Sequence, residues 1–298
     1  MHDPDGRATA ITVTGIRRYP VKSCRGEDLI SAAVEPWGLS GDRRCMVVDG
    51  DGRFVTARDV RGLLLVVPRL VDDGLELTSP GLPPLHVLRP GPGAERLTVQ
   101  VWSSRVEAAL AAGTGAWLTE ALGTPARLVH LDDPTLRPTD PVFSRPEDRV
   151  SFADGYPLLL ATEDSLAALN GLVADGPRAH EGPLTMTRFR PNLVVAGAPA
   201  WAEDGWRRIR VGAAVFRVVK GCARCVLTTV DPVTAQRGAE PIATLARYRR
   251  WDGRTWFAVN LVPESAGATV RWGDEVEVLE AGDPADGPLR TATVAARG

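Results

Sequence analysis

The chain has 298 residues, 44% hydrophobic and 24% charged, with a formal net charge of −2. That length exceeds one typical domain of ~100 to 200 residues, so two closely packed units are expected, and the balanced, dispersed charge excludes a polyanion-binding surface such as one for nucleic acid. No run of ~18 apolar residues could span a bilayer, and MHDPDGRATA lacks the apolar segment of a signal peptide, so a cytoplasmic protein without membrane partners is expected.

Residues from about 10 to 130 read as short strands between Gly, Pro and Asp turns. CMVVDGDGRFVTA, Cys45 to Ala57, predicts a hairpin reversing at Asp49 to Gly52; a calcium loop is disfavoured because its downstream glutamate is missing. LLLVVPRLVDDGLELTS predicts another strand pair around Asp72, Asp73 and Gly74. GTGAWLTEALG predicts the first helix, ending at Gly123. His130 to Arg149, rich in Pro, Asp and Arg, reads as a long connection.

The second half opens with a helix from about Glu163 to Leu172, capped by Thr162. Strands are expected at Asn192 to Ala196, Arg208 to Val211 and Val215 to Val219. PIATLARYRR predicts a helix with Pro241 in its first turn, and TVRWGDEVEVLE two strand pieces around Gly273 and Asp274. The tail after Glu280 is expected to fray. The fold class is therefore mainly β with peripheral helices (α+β), built as two β-barrel-like units. The pattern speaks against a βαβ nucleotide fold, and no GxGxxG or GxxxxGK[ST] stretch occurs.

KGCARCVLTTVDP, Lys220 to Pro232, holds two of the four cysteines. A thioredoxin-type dithiol would need Cys222 at a helix N-terminus, whereas the β-branched run VLTTV follows at once. A zinc half-site lacks partners, since His130, His180, Cys24 and Cys45 are scattered singly. Two readings stay open: buried packing thiols, or one thiolate binding a soft metal whose other ligands come with a cofactor. Arg224 and Lys220 supply positive charge that favours a thiolate. Only two lysines occur, Lys22 and Lys220, and each lies close to a cysteine. Lys22 and Ser23 of YPVKSC, Arg43 of GDRR, and Arg190 and Asn192 of FRPN together form a donor set suited to a phosphate.

KGCARCVLTTVDP, FRPNLVV, GDRRCMVV and YPVKSC together resemble the MOSC family, in particular its molybdenum-containing, amidoxime-reducing branch. The likeness runs from about Ile11 to Glu280. It implies an N-terminal β-barrel domain at 10–130 packed against a MOSC β-barrel domain at 150–280. It further implies a Mo-molybdopterin cofactor whose metal is held by Cys225, with Arg224 helping to hold the group. Lys22, Ser23, Arg43, Arg190, Asn192, Gly155, Tyr156 and Asn260 are implied to contact the pterin and its phosphate, and Asp154 to move protons. Ala223 stands where some relatives carry a hydroxyl residue, and Gly155 and Tyr156 replace small polar ones. The implied activity is reduction of N-hydroxylated compounds, such as amidoximes, by oxygen-atom abstraction. No C-x4-C-x2-C iron-sulfur pattern occurs, so electrons are expected from a separate ferredoxin, flavoprotein or cytochrome-type protein. The alternative is a module that carries the cofactor or sulfur and turns nothing over.

Overall fold

The computed structural model describes residues 10–290. Its largest sheet runs in the order Val276–Ala281, Trp206–Val211, Ala214–Ala223, Arg254–Pro263, Leu158–Thr162, Leu193–Ala196, Thr12–Arg18 and Glu27–Leu29. Pairing along it is antiparallel except between Leu158–Thr162 and Leu193–Ala196, which run parallel with the helix Glu163–Ala174 between them in sequence. One βα crossover to a parallel strand is thus embedded in an otherwise antiparallel sheet. Thr12–Arg18 pairs with Leu193–Ala196, and Ser31–Glu35 pairs with Thr269–Arg271. The first strands of the chain therefore complete the barrel made by the second half, sharing its core through Val13, Ile16 and Val34 against Leu160, Phe216 and Leu261.

The intervening chain forms the other body. Strands Cys45–Val48, Arg127–His130, Ser104–Leu110 and Arg96–Val101 make a four-stranded sheet, and Val67–Val71, Gly74–Thr78 and Leu85–Leu88 a three-stranded one. Val47, Leu64, Leu75, Val87, Leu118 and Leu128 fill a core between them, Leu118 coming from the helix Gly115–Leu122. Gly123 ends that helix at φ 68°, where the missing Cβ removes the steric cost of left-handed backbone. The Asp49 turn is closed by its own carboxylate, which accepts from the Asp51 and Arg53 amides at 2.9 Å each. The chain returns antiparallel through the Val48–Phe54 bridge, with the Asp49 amide donating to the Arg53 carbonyl and the Val55 amide to the Val47 carbonyl at 2.9 Å each, while the other edge of Cys45–Val48 pairs with Arg127–His130.

Three further expectations change. Arg61–Leu65 is a 3-10 turn rather than the start of a strand. Val226–Thr229, the β-branched run after Cys225, is also a 3-10 turn, with Thr228 Oγ donating to the Cys225 carbonyl at 2.9 Å. The described residues after Glu280 are docked, not frayed: the Gly221 amide donates to the Leu289 carbonyl at 2.8 Å, and Leu289 is buried. The order there comes from the edge of a distant strand and from Trp251, which no local pattern announces.

The Thr162 cap forms as expected, its hydroxyl accepting from the Ser165 amide at 3.0 Å. Beside it Glu203, 1% exposed, accepts from Ser165 Oγ at 2.8 Å. Burial, aided by the neighbouring Asp204 carboxylate, pushes the Glu203 carboxyl up to about 7 from its ordinary 4.5. The folded state thus binds more protons than the unfolded chain between these values, so stability falls as pH rises from 4.5 to 7. Glu203→Gln is expected to flatten that slope and to be the more stable protein at pH 7, by on the order of 3 kcal/mol. Thermal melts across this pH range check it; parallel curves for the two proteins would contradict it. Among the described residues no helix is long and apolar enough to cross a membrane.

Candidate functional site

Six separate stretches of chain converge on one open cleft with a cavity volume of about 160 Å³. Lys22, Ser23, Arg43, Asp154, Gly155, Tyr156, Arg190, Asn192, Arg224, Cys225 and Asn260 all line it. The convergence is made by backbone. The Lys22 amide donates to the Cys45 carbonyl at 2.8 Å and the Arg43 amide to the Tyr19 carbonyl at 2.7 Å, which lays two distant segments side by side. The Arg17 amide donates to the Asn192 carbonyl at 2.8 Å and ties the second half to them. Ser23, Arg43 and Arg190 hold positive φ of 68°, 47° and 57°. Such angles are uncommon outside glycine, and three at one cleft place strain where side chains must be aimed inward.

One wall is cationic. Arg43 and Arg190 each carry their guanidinium carbon 4.3 Å from the centroid of the Tyr19 ring. Arg43 donates to Asp42 and, at 2.9 Å, to Asn192 Oδ1, so its charge is paired. Arg190 is not: its Nη2 is buried with no hydrogen-bond partner, and burial with the adjacent Arg43 charge holds its pKa below the ordinary value. Arg188 Nε and Arg224 Nε at the same cleft are likewise buried without a partner, and since such nitrogens are costly to leave without an acceptor, the wall suits an anion.

The two cysteines of CARC differ. Cys225 is exposed and lines the cleft. Cys222 is half-buried, accepts from Arg224 Nη1 at 2.8 Å, and has its thiol pushed up by burial against the lowering effect of Arg224. Arg224 also donates to the Phe189 carbonyl at 2.8 Å, so the charge expected to favour a thiolate is clamped between Cys222 and Phe189. Lys220 is absent from the cleft wall, its ammonium lying 4.5 Å from the Phe143 ring centroid. The pairing register of Ala214–Ala223 slips between Val218 and Lys220 and again between Gly221 and Ala223. Across such bulges residues two apart need not share a face, so Cys222 lines the cleft and Lys220 does not. The facing strand bulges too: Ala258 has φ 70°, so Phe257 packs outward with Leu169 and Leu245 while Val259 and Leu261 enter the barrel core. Asn260 then reaches across, donating to the Lys220 and Gly221 carbonyls at 3.3 and 3.1 Å.

Opposite lies the 151–156 turn. Lys22, 5% exposed, donates to the Phe152 carbonyl at 2.8 Å and to Asp154 Oδ1 at 2.5 Å. Burial pulls Lys22 down to about 8, against the raising effect of Asp154. Burial would raise the Asp154 carboxyl, yet Lys22 and Arg58 hold it well below the carboxylate range. The Asp154 side chain is itself 66% exposed, so water screens this pair and its net stabilisation is small. The folded state binds fewer protons than the unfolded chain between pH 8 and 10.5, so cofactor-free protein gains stability as pH rises through that window. Lys22→Met is expected to remove the gain and to be more stable below pH 8, by on the order of 3 kcal/mol. Denaturant titrations at pH 7 and 10 read the difference; an unchanged pH slope would contradict it.

Sequence reasoning missed several contributors. Arg188 lines the cleft and pairs with Asp231 at 3.0 Å. Buried Arg137 donates to the carbonyls of Ser151, Ala153 and Asp154, and so shapes the turn that presents Asp154. Trp102 Nε1 donates to Asp154 Oδ1 at 3.3 Å. The arginine immediately before FRPN was a legible signal for Arg188; nothing local pointed to Arg137 or Trp102.

Comparison with known proteins bears on this cleft. Residues 10–125 match the MOSC N-terminal beta barrel domain and residues 147–277 the MOSC domain. The chain is 35% identical to mitochondrial amidoxime-reducing component 1 of Homo sapiens, over 90% of this chain and 83% of that one. To the Xenopus laevis protein of the same name it is 32% identical, over 78% and 70%. It is also 30% identical to a molybdenum cofactor sulfurase of Oryza sativa subsp. japonica, over 82% of this chain and 31% of that longer one. With both domain models matched in order and a 35% identical relative covered over most of its length, this chain belongs to the MOSC family, in its two-domain form.

Proposed function

We propose that the protein is a molybdenum cofactor-dependent reductase of N-hydroxylated compounds, with Cys225 as its metal ligand. The observation that carries the reading is the joint placement of one exposed thiol and a buried, acceptor-less guanidinium, Cys225 and Arg190, in a single cleft. The residues fit the group. Among the described residues no cluster of three or more His, Cys, Asp or Glu side chains could hold a metal alone, so a metal at Cys225 would need ligands brought with it. Lys22, Arg43, Arg190 and Asn192 provide point-charge, forked and amide partners for a phosphate-bearing pterin. Arg224, clamped between Cys222 and Phe189, and Asn260 would hold its nearer end.

When bound, the cofactor would supply the electron pair and the oxygen acceptor for cleaving an N–O bond. This chain's side chains do the rest. Cys225 anchors the group, the cationic wall neutralises its charge, and the 151–156 turn closes the opposite side with Gly155 and Tyr156. Asp154 is held ionised by Lys22, which suits it to fixing that ammonium; a proton relay through it would need that pairing loosened when substrate binds. Electrons would come from a separate carrier protein, and the four free thiols, two of them buried, fit a reducing compartment such as the cytoplasm.

The likeness to a molybdenum cofactor sulfurase favours a second reading, in which the cleft carries the cofactor or sulfur to another enzyme. Turnover by the isolated protein separates the two. Protein from a cofactor-competent host should contain stoichiometric molybdenum and reduce benzamidoxime to benzamidine with reduced methyl viologen. Full metal content without turnover would leave the carrier; no molybdenum at all would sink both.

A further inference from the structure

On the outer side of the cysteine segment, Arg58, Arg61 and Arg237 line a second groove of about 270 Å³ with Val226, Leu227 and Val230. Leu227 belongs to the walls of both this groove and the cleft. It stands two residues after Cys225, at most ~7 Å along extended chain. Charge here runs against that of the whole molecule: three guanidinium groups accompany one carboxylate, Asp59, on a chain of net charge −2. Asp59 is already engaged by Thr56 Oγ at 2.8 Å. Arg61 and Arg237 are exposed and form no ion pair with any described residue.

The groove is not built to trap a small anion. None of its polar atoms is buried without a partner, in contrast to Arg190 in the cleft. Its cations instead surround a small apolar spot formed by Val226, 36% exposed, with Val233 of the adjoining turn also exposed. Exposed cations ringing a modest apolar patch suit a transient, electrostatically steered protein contact, which buries little area and dissociates quickly. Arg58 extends the band, its guanidinium carbon 4.4 Å from the Trp102 ring centroid.

Resting on the reductase reading above, we propose that this groove is the docking surface for an acidic one-electron carrier protein. The carrier seats over Arg58, Arg61 and Arg237 and passes its electrons through the Val226–Leu227 segment toward Cys225. One turnover takes two electrons and two protons: the N–O bond breaks, an N–H replaces N–OH, and water leaves. Two reduced carriers are each oxidised by one electron, so the contact must form and release twice per cycle.

The test uses reduced [2Fe–2S] ferredoxin and flavodoxin as acidic probes, basic cytochrome c as the control in binding, and reduced methyl viologen as a small reductant. In Arg61→Glu/Arg237→Glu the kcat/KM for the acidic carriers should fall about tenfold or more, and their steep loss of rate with salt should flatten. Viologen-driven benzamidoxime reduction should match wild type, and interferometry on cofactor-free protein should show the same weakening of carrier binding. Arg61→Gln/Arg237→Gln should give a smaller effect of the same sign, which guards against misfolding in the reversal variant. Unchanged binding and rates in both variants, or cytochrome c binding as tightly as the acidic carriers, would overturn the assignment. Failure of wild type with viologen would sink the reductase reading alone, since carrier binding still decides the docking surface.

Discussion

Cys225→Ala, produced in a cofactor-competent host, is expected to retain less than a hundredth of the wild-type molybdenum and to lose benzamidoxime reduction in proportion. Removing an outer-sphere partner of a metal site already costs ~10- to 100-fold in affinity, and loss of the protein's only ligand exceeds that range. The substitution should leave folding intact, because the thiol is exposed and surface changes of this kind usually fall within ~0.5 kcal/mol. Cys222→Ala is the internal control. It removes the sulfur that accepts from Arg224 but leaves that arginine its Phe189 carbonyl, so a loss on the order of tenfold is expected. Metal analysis and the absorption of the thiolate-to-metal band read both variants. Wild-type metal and activity in Cys225→Ala would remove the assigned ligand and with it the proposed chemistry.

Arg190→Asn should move stability and function in opposite directions. Asparagine tolerates the left-handed backbone at φ 57°, so the substitution removes charge without adding backbone strain. Cofactor-free protein is then expected to be at least as stable as wild type, because a buried guanidinium lacking an acceptor on Nη2 and facing Arg43 is costly. The holoprotein should suffer: a charge-assisted hydrogen bond contributes ~1.5–3 kcal/mol, so cofactor retention should weaken ~10- to 150-fold. Stabilisation of the cofactor-free protein by inorganic pyrophosphate should weaken likewise in a thermal shift. Unchanged cofactor content and an unchanged pyrophosphate shift would show that Arg190 holds no anion.

Local signals were read well where one stretch of chain decides its own conformation. Thr162 caps its helix and Gly123 terminates another because hydroxyl, amide and φ all lie within a few residues. The cleft was legible for another reason: its donors are types that ordinary packing seldom uses, a rare lysine at 22 and arginines beside prolines and cysteines. What failed was anything settled by a distant partner. Arg224 was expected to favour a thiolate without a choice between the two cysteines, and only the fold directs its guanidinium to Cys222 and the Phe189 carbonyl. Lys220 stands off the cleft wall because its strand slips register twice, and register is a property of two strands.

The sequence by itself determined the mainly β architecture, the family and the inventory of one thiol with its cationic and amide companions, since composition, periodicity and motif order are properties of the linear chain. Only the tertiary structure decided that strands from the first forty residues complete the second barrel, that the described residues after Glu280 dock on Gly221, and that Arg190 Nη2 is left without an acceptor. Those outcomes depend on which hydrogen-bond partners remain free once the rest of the fold has formed, and that is settled by the whole packing rather than by any stretch of sequence.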